Sequence, residues 1–479
     1  MMKGPTHAGP LVWLLAPLLL ATGCLSNVRR PDLGGLYDRA AHAHHEERNP
    51  IIVIPGLLGS RLKDADTGRQ LWGAFGGKAA SPKKPEDLRL LAMPLRQEDA
   101  DARVVADGVL DRVKVKLLGL PLQVKAYYHI LTMLGTAGFR DESLGLSGAV
   151  DYGDDHFTCF QFAYDWRLSN AENARRLHRF ILDKQAYVKR ELDKRGLGRD
   201  EVRFDIVAHS MGALVARYYL RYGTQGLPAD GSLPELTWEG ARYVERAILV
   251  APPNAGSIEV LEHLVKGYKP GPLVARYPAA LIGTFASVYE LLPRARHGAY
   301  VDARPPHRPL GDVLEVELWR KLGWGLLDPE QDEVLSWLLP EVAERAERRR
   351  IAAAFLARRL ARARQFQAAL DQPAAPPPGT TLALIAGDSQ PTDAVAAIDL
   401  ESGAVEVTAT APGDGTVLRS SALMDERLGA ETWRPTLETP ITWHTVTFLF
   451  NDHLGLTRDA TFTDNVLYQL MEERRSRGL

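Results

Sequence analysis

Cysteine is almost missing from this chain: 479 residues contain two, Cys24 and Cys159. A disulfide-stapled scaffold is therefore excluded. Excess charge of either sign is also lacking. The formal net charge of -2 excludes the electrostatic footprint of a general nucleic-acid binder. The apolar run Leu11 to Leu20 is too short to span a bilayer. Proline and glycine are plentiful, but they follow no repeat period. What the chain does have is an ordinary apolar fraction, 45%, which excludes disorder as its general state. Its length suits one large core with a substantial insertion or second domain.

Residues 1–24 read as a processed leader rather than fold. Lys3 gives a basic start, and Leu11 to Leu20 has the length of a signal-peptide core. Leu20-Ala21-Thr22-Gly23-Cys24 resembles a bacterial lipobox, with Cys24 as the lipidated residue. The expected location is the bacterial cell envelope, lipid-anchored, at the outer membrane because Leu25 follows the cysteine; simple secretion is the alternative. Residues 25–49 read as a polar tether. His42, His44 and His45 cluster there with Glu46 and Glu47, but nothing nearby would fix ligand geometry, so no metal or cofactor is expected. Cys159 sits in an apolar run and reads as a small buried hydrophobe.

From residue 50 the pattern alternates strand and helix. Ile51 to Ile54 is a continuous apolar run, the sign of a strand buried on both faces. Strands are expected at Phe157 to Ala163, Val202 to Val207 and Arg242 to Ala251. Helices are expected at Tyr127 to Ala137, after a Ser169 or Asn170 cap, and from Ala213 to Tyr222. Residues 71–108 look loop-like. Such alternation predicts an α/β fold with a mostly parallel sheet covered by helices. Regularity then fails, and residues 256–378 read as an inserted, mainly helical cap. Its stretch Glu341 to Leu370 predicts a long arginine-rich helix whose basic face is read as solvated, with membrane contact as the alternative. Residues 379–479 return to the core. Strands are expected at Thr381 to Ala386 and Ile441 to Leu449, an antiparallel pair at Val395 to Leu400 and Ala404 to Thr410, and a closing helix from Phe462 to Arg475.

The chemistry gathers around Ala208-His209-Ser210-Met211-Gly212, placed between a strand and a helix. A serine on such a tight turn projects its hydroxyl above the sheet edge as a nucleophile. Gly212 stands where a side chain would crowd the helix start. A serine needs a base, normally a histidine held by a carboxylate. His209 adjoins the serine but is turned away from the required face. His444 is read as buried inside the last strand. His453, in a loop beyond that strand, is the expected base. For the carboxylate, Asp388 and Asp414 both fit by spacing. An oxyanion needs amide donors; the Met211 N–H is one, and the N–H of Leu57, directly after Pro55-Gly56, is the other.

These motifs together resemble the lecithin:cholesterol acyltransferase family, which includes group XV phospholipase A2 and the phospholipid:diacylglycerol acyltransferases, within the α/β-hydrolases. The resemblance is carried by Ile51 to Leu62, Leu71-Trp72, Phe162 to Arg167, His209 to Gly212, Ala251 to Ser257, Ala386 to Thr392, Gly413 to Val417 and His453. It implies Asp414 rather than Asp388 as the acid, and supports Leu57 and Met211 as the oxyanion pair. It also implies that Asp165 and Arg167 form a structural charge pair near the pocket floor. The cysteines typical of animal secreted members are absent. The expected activity is hydrolysis of lipid or other hydrophobic carboxylic esters through Ser210, Asp414 and His453. The expected partners are such an ester and a membrane surface, not nucleic acid. Transfer of the acyl group to an alcohol, and a non-catalytic lipid-binding envelope lipoprotein, are the alternatives.

Overall fold

In a computed structural model, the chain is described over residues 31–42, 48–75, 79–96, 103–110, 112–117, 120–125, 127–144, 156–271, 274–430, 432 and 434–475. The leader and Cys24, and most of the histidine cluster before residue 48, lie outside these residues. Met1–Asp32 and Leu33–Leu479 form separate units, and only the second is considered below. Among the described residues no helix is long and apolar enough to cross a membrane.

Eight strands organise the unit: β1 (Ile51–Ile54), β2 (Cys159–Gln161), β3 (Phe204–His209), β4 (Val244–Val250), β5 (Thr381–Gly387), β6 (Gln390–Ile398), β7 (Val405–Gly413) and β8 (Thr445–Leu449). Six make one parallel sheet in the order β8-β5-β4-β3-β1-β2. Its strands are short apolar runs because both faces are covered. In β1, Ile52 and Ile54 join one core while Ile51 and Val53 join the other. In β4, Ala247 and Leu249 face the first core, Ile248 and Val250 the second. With the two-residue period of a strand, each of these residues has an apolar destination. This is the α/β-hydrolase fold that the sequence implied.

Helices cover the sheet: α1 (Leu33–Ala41), α2 (Tyr128–Thr136), α3 (Asn170–Lys194), α4 (Met211–Tyr222), α5 (Glu259–Lys266), α6 (Arg345–Asp371), α7 (Arg419–Leu423) and α8 (Ala460–Met471). Ser169 caps α3, its side chain accepting from the Ala171 amide. The chain steps from β1 outward to β2, then returns across β1 to start β3 on its other side. That reversal leaves a crevice at the carboxyl ends of β1 and β3, the usual place for a site in an open α/β sheet.

Four expectations change. Part of the supposed tether is the folded helix α1, because Tyr37 and Ala41 are buried and the Tyr37 hydroxyl donates to Glu472 on the last turn of the chain. The loop-like stretch holds the helix Pro85–Leu91 and strands Gln70–Trp72 and Val104–Val109, which flank Ser60–Asp64 in an antiparallel sheet. The last strand begins at Thr445, so His444 precedes it; its half-exposed ring pairs with Glu473 at 2.9 Å. Finally, β6 and β7 pair antiparallel as expected, yet outside the central sheet. They join Tyr300–Asp302 from the cap, so the second half of the core contributes to the cap region. The rest of that region is mainly helical, and α6 buries Ile351, Phe355, Leu360 and Phe366 beneath its arginines.

Candidate active site

Four loops at the carboxyl edge of the sheet converge. Ser210 follows β3 with φ 54° and ψ -128°, a conformation non-glycine residues rarely adopt. The strain is held from both sides. The Ser210 amide donates to the Val250 carbonyl of β4 at 2.8 Å. The Ala213 amide, at the start of α4, returns to the Ser210 carbonyl at 3.0 Å. Gly212 is required by contact: a Cβ there would lie 2.3 Å from the Pro55 carbonyl oxygen. Gly56 is required for the same reason, since its Cβ would lie 2.8 Å from Ser210 Cβ. The loop after β1 can therefore run directly alongside the serine. Leu57, in that loop, lines the cavity with Ser210, and Met211 begins α4.

Asp414 directly follows β7 and His453 follows β8. The His453 Nδ1 and Asp414 Oδ2 are 2.8 Å apart, and the His453 amide donates to the Asp414 carbonyl at 2.9 Å. Side chain and backbone thus fix the two loops together. The other carboxylate oxygen accepts the Val417 and Thr416 amides at 2.7 and 3.0 Å. Burial alone would raise the Asp414 pKa. The His453 charge, its hydrogen bond and the two amides outweigh that and hold the carboxyl below its usual range. Gly387, at the end of β5, makes room for this loop, because a Cβ there would meet Asp414 Cβ at 2.6 Å. Asp388, the competing candidate, instead faces Arg419 at 3.9 Å.

Ser210, Asp414 and His453 open into one cavity of about 660 Å³, ample for a small lipid-like ligand. Its walls are apolar for the most part, with Trp72, Trp166, Val260, Ile282, Phe285 and Leu291 among them. Among the described residues Ser210 Oγ makes no hydrogen bond; it and His453 line the same cavity. Two polar wall residues were not anticipated. Glu259 and His263, one turn apart on α5, lie 3.5 Å from each other. Burial raises the pKa of Glu259 and lowers that of His263.

His209 is turned from the cavity, as expected, but its role is larger than its sequence position suggests. Its Nε2 lies 3.0 Å from the His453 carbonyl, which can only accept, so Nε2 carries the proton. Its Nδ1 therefore accepts from the Tyr127 hydroxyl at 3.0 Å. That hydroxyl in turn accepts the Gly56 amide at 2.8 Å. The resulting chain runs from the loop beside Ser210, through Tyr127 and His209, to the backbone of His453. His209 is buried, and burial, then the charge of His453, pushes its pKa down to about 3. It stays neutral, as this hydrogen-bond direction requires. No local pattern marks Tyr127, whose partners lie 71 and 82 residues away.

Asp165 and Arg167 form the anticipated buried pair, with Arg167 Nη2 2.7 Å from Asp165 Oδ2. Arg167 also donates to the Leu91 carbonyl at 2.8 Å. The neighbouring Tyr164 hydroxyl donates to the Pro55 carbonyl at 2.8 Å, and Trp166 Nε1 to the Ser60 carbonyl at 3.1 Å. This segment braces the loop after β1 and gives Trp166 to the cavity wall. Cys159 is buried and free, as expected. No group of three or more histidine, cysteine, aspartate or glutamate side chains among the described residues could hold a metal ion.

Comparison with known proteins agrees with the resemblance read from the sequence. The lecithin:cholesterol acyltransferase family profile matches residues 149–309, a span that includes the Ser210 turn and the start of the cap. No curated protein matches the chain. Among solved structures, the Tle4-Tli4 complex is similar at 16% identity, covering 88% of this chain and 97% of that one, with a TM-score of 0.49. The Bacillus licheniformis lipase BlEst2 is similar at 11% identity over 89% and 94% of the two chains, TM-score 0.31. EstA from Clostridium botulinum is similar at 12% identity over 90% and 88%, TM-score 0.30.

Proposed function

We propose that this α/β-hydrolase cleaves hydrophobic carboxylic esters, lipids among them, through an acyl-enzyme on Ser210. The observation that carries this reading is the meeting of a strained serine turn and a hydrogen-bonded Asp414–His453 pair in one apolar cavity. His453 takes the Ser210 proton as the oxygen attacks the ester carbonyl. Asp414 holds the Nδ1–H tautomer of His453 and stabilises the imidazolium. The Leu57 and Met211 amides receive the oxyanion. His453 then protonates the leaving alcohol, and water releases the acyl group. A hydrophobic substrate is supported by the walls of the cavity and by Leu454, partly exposed beside His453 at its lining.

Transfer to a second alcohol uses the same residues. The profile match, whose family name is an acyltransferase, supports it as the second reading. Hydrolysis is preferred because water, unlike an alcohol acceptor, needs no binding pocket of its own. In the same reading the leader and Cys24 anchor the protein by lipid in the cell envelope, at its outer membrane.

A serine-reactive fluorophosphonate probe tests the catalytic reading. Labelling of the wild type that disappears in Ser210→Ala is the expected result; folded wild type that fails to label would overturn it. Mass spectrometry of mixed phospholipid, triacylglycerol and short-ester substrates then separates hydrolysis from transfer, because transfer alone yields a transesterified product.

A further inference from the structure

The five-residue helix Ala286–Glu290 has two sides. On one, Phe285, Val288 and Leu291 line the cavity that holds Ser210. On the other, Ala286 and Glu290 line a second cavity of about 540 Å³. That cavity is walled by α3, which contributes Arg175, Arg176 and Arg179, and by α6, which contributes Arg358, Arg359 and Arg362. Two carboxylates face these six guanidiniums, Glu172 and Glu290. Glu172 is taken by Arg175 and Arg176, at 2.9 and 3.3 Å. Glu290 is held by the Asn170 backbone amide and side-chain amide, at 2.8 and 2.7 Å. Among the described residues Arg358 reaches the Leu95 carbonyl, and Arg362 the Pro228 carbonyl and the Gln365 side-chain oxygen, neutral acceptors that satisfy a donor without cancelling its charge. Arg179 makes no ion pair among the described residues.

The rest of α6 serves as an internal control. Away from the cavity most of its arginines are neutralised: Arg345 and Arg349 by Asp332, Arg350 by Glu347, and Arg364 by Asp312 and Glu315, with Arg348 held by the Val342 and Ala343 carbonyls. At the cavity, Arg358 and Arg362 make no ion pair among the described residues. Ser169 and Ala171, at the amino end of α3, line the same space, and the partial positive charge of a helix amino end adds to the field there. Like charges gathered this closely repel one another unless an anion joins them. Guanidinium forks match phosphate oxygens two at a time, and a phosphomonoester carries between one and two negative charges at neutral pH.

We propose that the cavity between α3 and α6 is a binding site for a phosphate-bearing anion, held by Arg179, Arg358 and Arg362 on the far side of the wall it shares with the catalytic cavity. The phosphate belongs either to a small free ester or to the headgroup of an anionic lipid. This proposal does not depend on the ester chemistry, and its test reads binding alone.

Isothermal titration calorimetry of the purified protein with glycerol 3-phosphate covers the free source. Co-sedimentation with phosphatidylcholine vesicles, with and without phosphatidic acid, covers the lipid source. The expected result is saturable binding in at least one arm, weakened about 10-fold or more in Arg179→Ala/Arg358→Ala, as loss of charged hydrogen bonds requires. The Arg364→Ala control keeps wild-type binding, and Arg179→Lys/Arg358→Lys, which retains charge but not the fork, falls between. An unchanged melting temperature shows that the variants are folded; the substituted arginines are exposed at the cavity rim. Binding of glycerol 3-phosphate assigns the free source, and vesicle capture that needs phosphatidic acid without it assigns the lipid. Absence of binding in both arms, or equal binding by wild type and Arg179→Ala/Arg358→Ala, overturns the proposal.

Discussion

The two cavities on either side of Ala286–Glu290 are similar in size and opposite in chemistry. The one containing Ser210 is walled by tryptophan, phenylalanine and branched aliphatic residues, with its charged groups gathered beside the serine. The other is walled by arginines. In the first, low polarity strengthens the few electrostatic contacts that matter, so one carboxylate and one imidazole can govern the chemistry. In the second, Arg175, Arg179 and Arg358 stay exposed to water and no single pair dominates. The same five-residue helix, with its flanking residues, serves both because Phe285, Val288 and Leu291 line one cavity while Ala286 and Glu290 line the other. Loss of one side chain should therefore be severe in the first cavity and graded in the second.

The largest effects are expected from the Asp414–His453 pair. His453→Ala should lower kcat for a hydrophobic ester on the order of 10⁴-fold or more. Asp414→Asn should lower it about 10³- to 10⁴-fold, since an amide there favours the wrong imidazole tautomer. Asp388→Asn should leave kcat within about twofold, because Asp388 lies against Arg419 and not against His453. Steady-state rates for the three variants check this ranking. A loss in Asp388→Asn equal to that in Asp414→Asn would erase the distinction between the two aspartates.

That distinction also shows how far the sequence could be read. Spacing after the cap left Asp388 and Asp414 equivalent; family resemblance separated them, and the contact with His453 agrees. The serine turn and the parallel strands were legible because their causes are local: small residues at a close approach, and apolar runs buried on both faces. Tyr127 was not legible, since its importance lies in one hydroxyl joining Gly56 to His209 across long separations. Helix α1 was missed because its Gly34-Gly35 start reads as a linker, and the short helix needed only Tyr37 and Ala41 to dock. His444 was misplaced by strand fraying: apolar composition began at Ile441, but pairing with β5 starts one residue after the histidine. The arginine cavity was half visible. The basic run in α6 was plain, but its partner arginines on α3 are supplied by tertiary packing.

Buried titratable groups at the two cavities should respond to pH in opposite directions, and the larger response belongs to His209. Its pKa is about 3 in the folded protein, below the ordinary 6.5. As pH falls below 6.5 the unfolded chain gains a proton that the folded protein refuses, so stability present above that pH is lost toward pH 3. Over the whole window this is up to roughly 5 kcal/mol, and about a third of it falls between pH 6.5 and 5. Urea unfolding at pH 7 and pH 5 should show a greater acid loss for wild type than for His209→Gln. Equal losses would mean that His209 does not hold the neutral relay between Tyr127 and the His453 carbonyl.

Glu290 should act with the reverse sign and a smaller size. Burial is the first cause of its shift, and it pushes the carboxyl up to about 7, from an ordinary 4.5, against the pull of the Asn170 and Ser169 hydrogen bonds and of Arg359. Between those two values the folded protein holds a proton that the unfolded chain has released. The stability this provides is complete below pH 4.5 and is lost as pH rises through 7. The span of the shift allows about 3 kcal/mol, reduced to about 2 kcal/mol by water and the neighbouring guanidiniums of an open cavity. Glu290→Gln keeps an oxygen to accept from Asn170 and removes the titration. Its unfolding free energy should therefore change less than that of wild type between pH 5 and 8, with the variant gaining relative to wild type at the alkaline end. If the two pH profiles run parallel, Glu290 is ionised throughout. The arginines then have a resident counter-charge, and the surplus of positive charge that separates this cavity from the catalytic one is smaller by one.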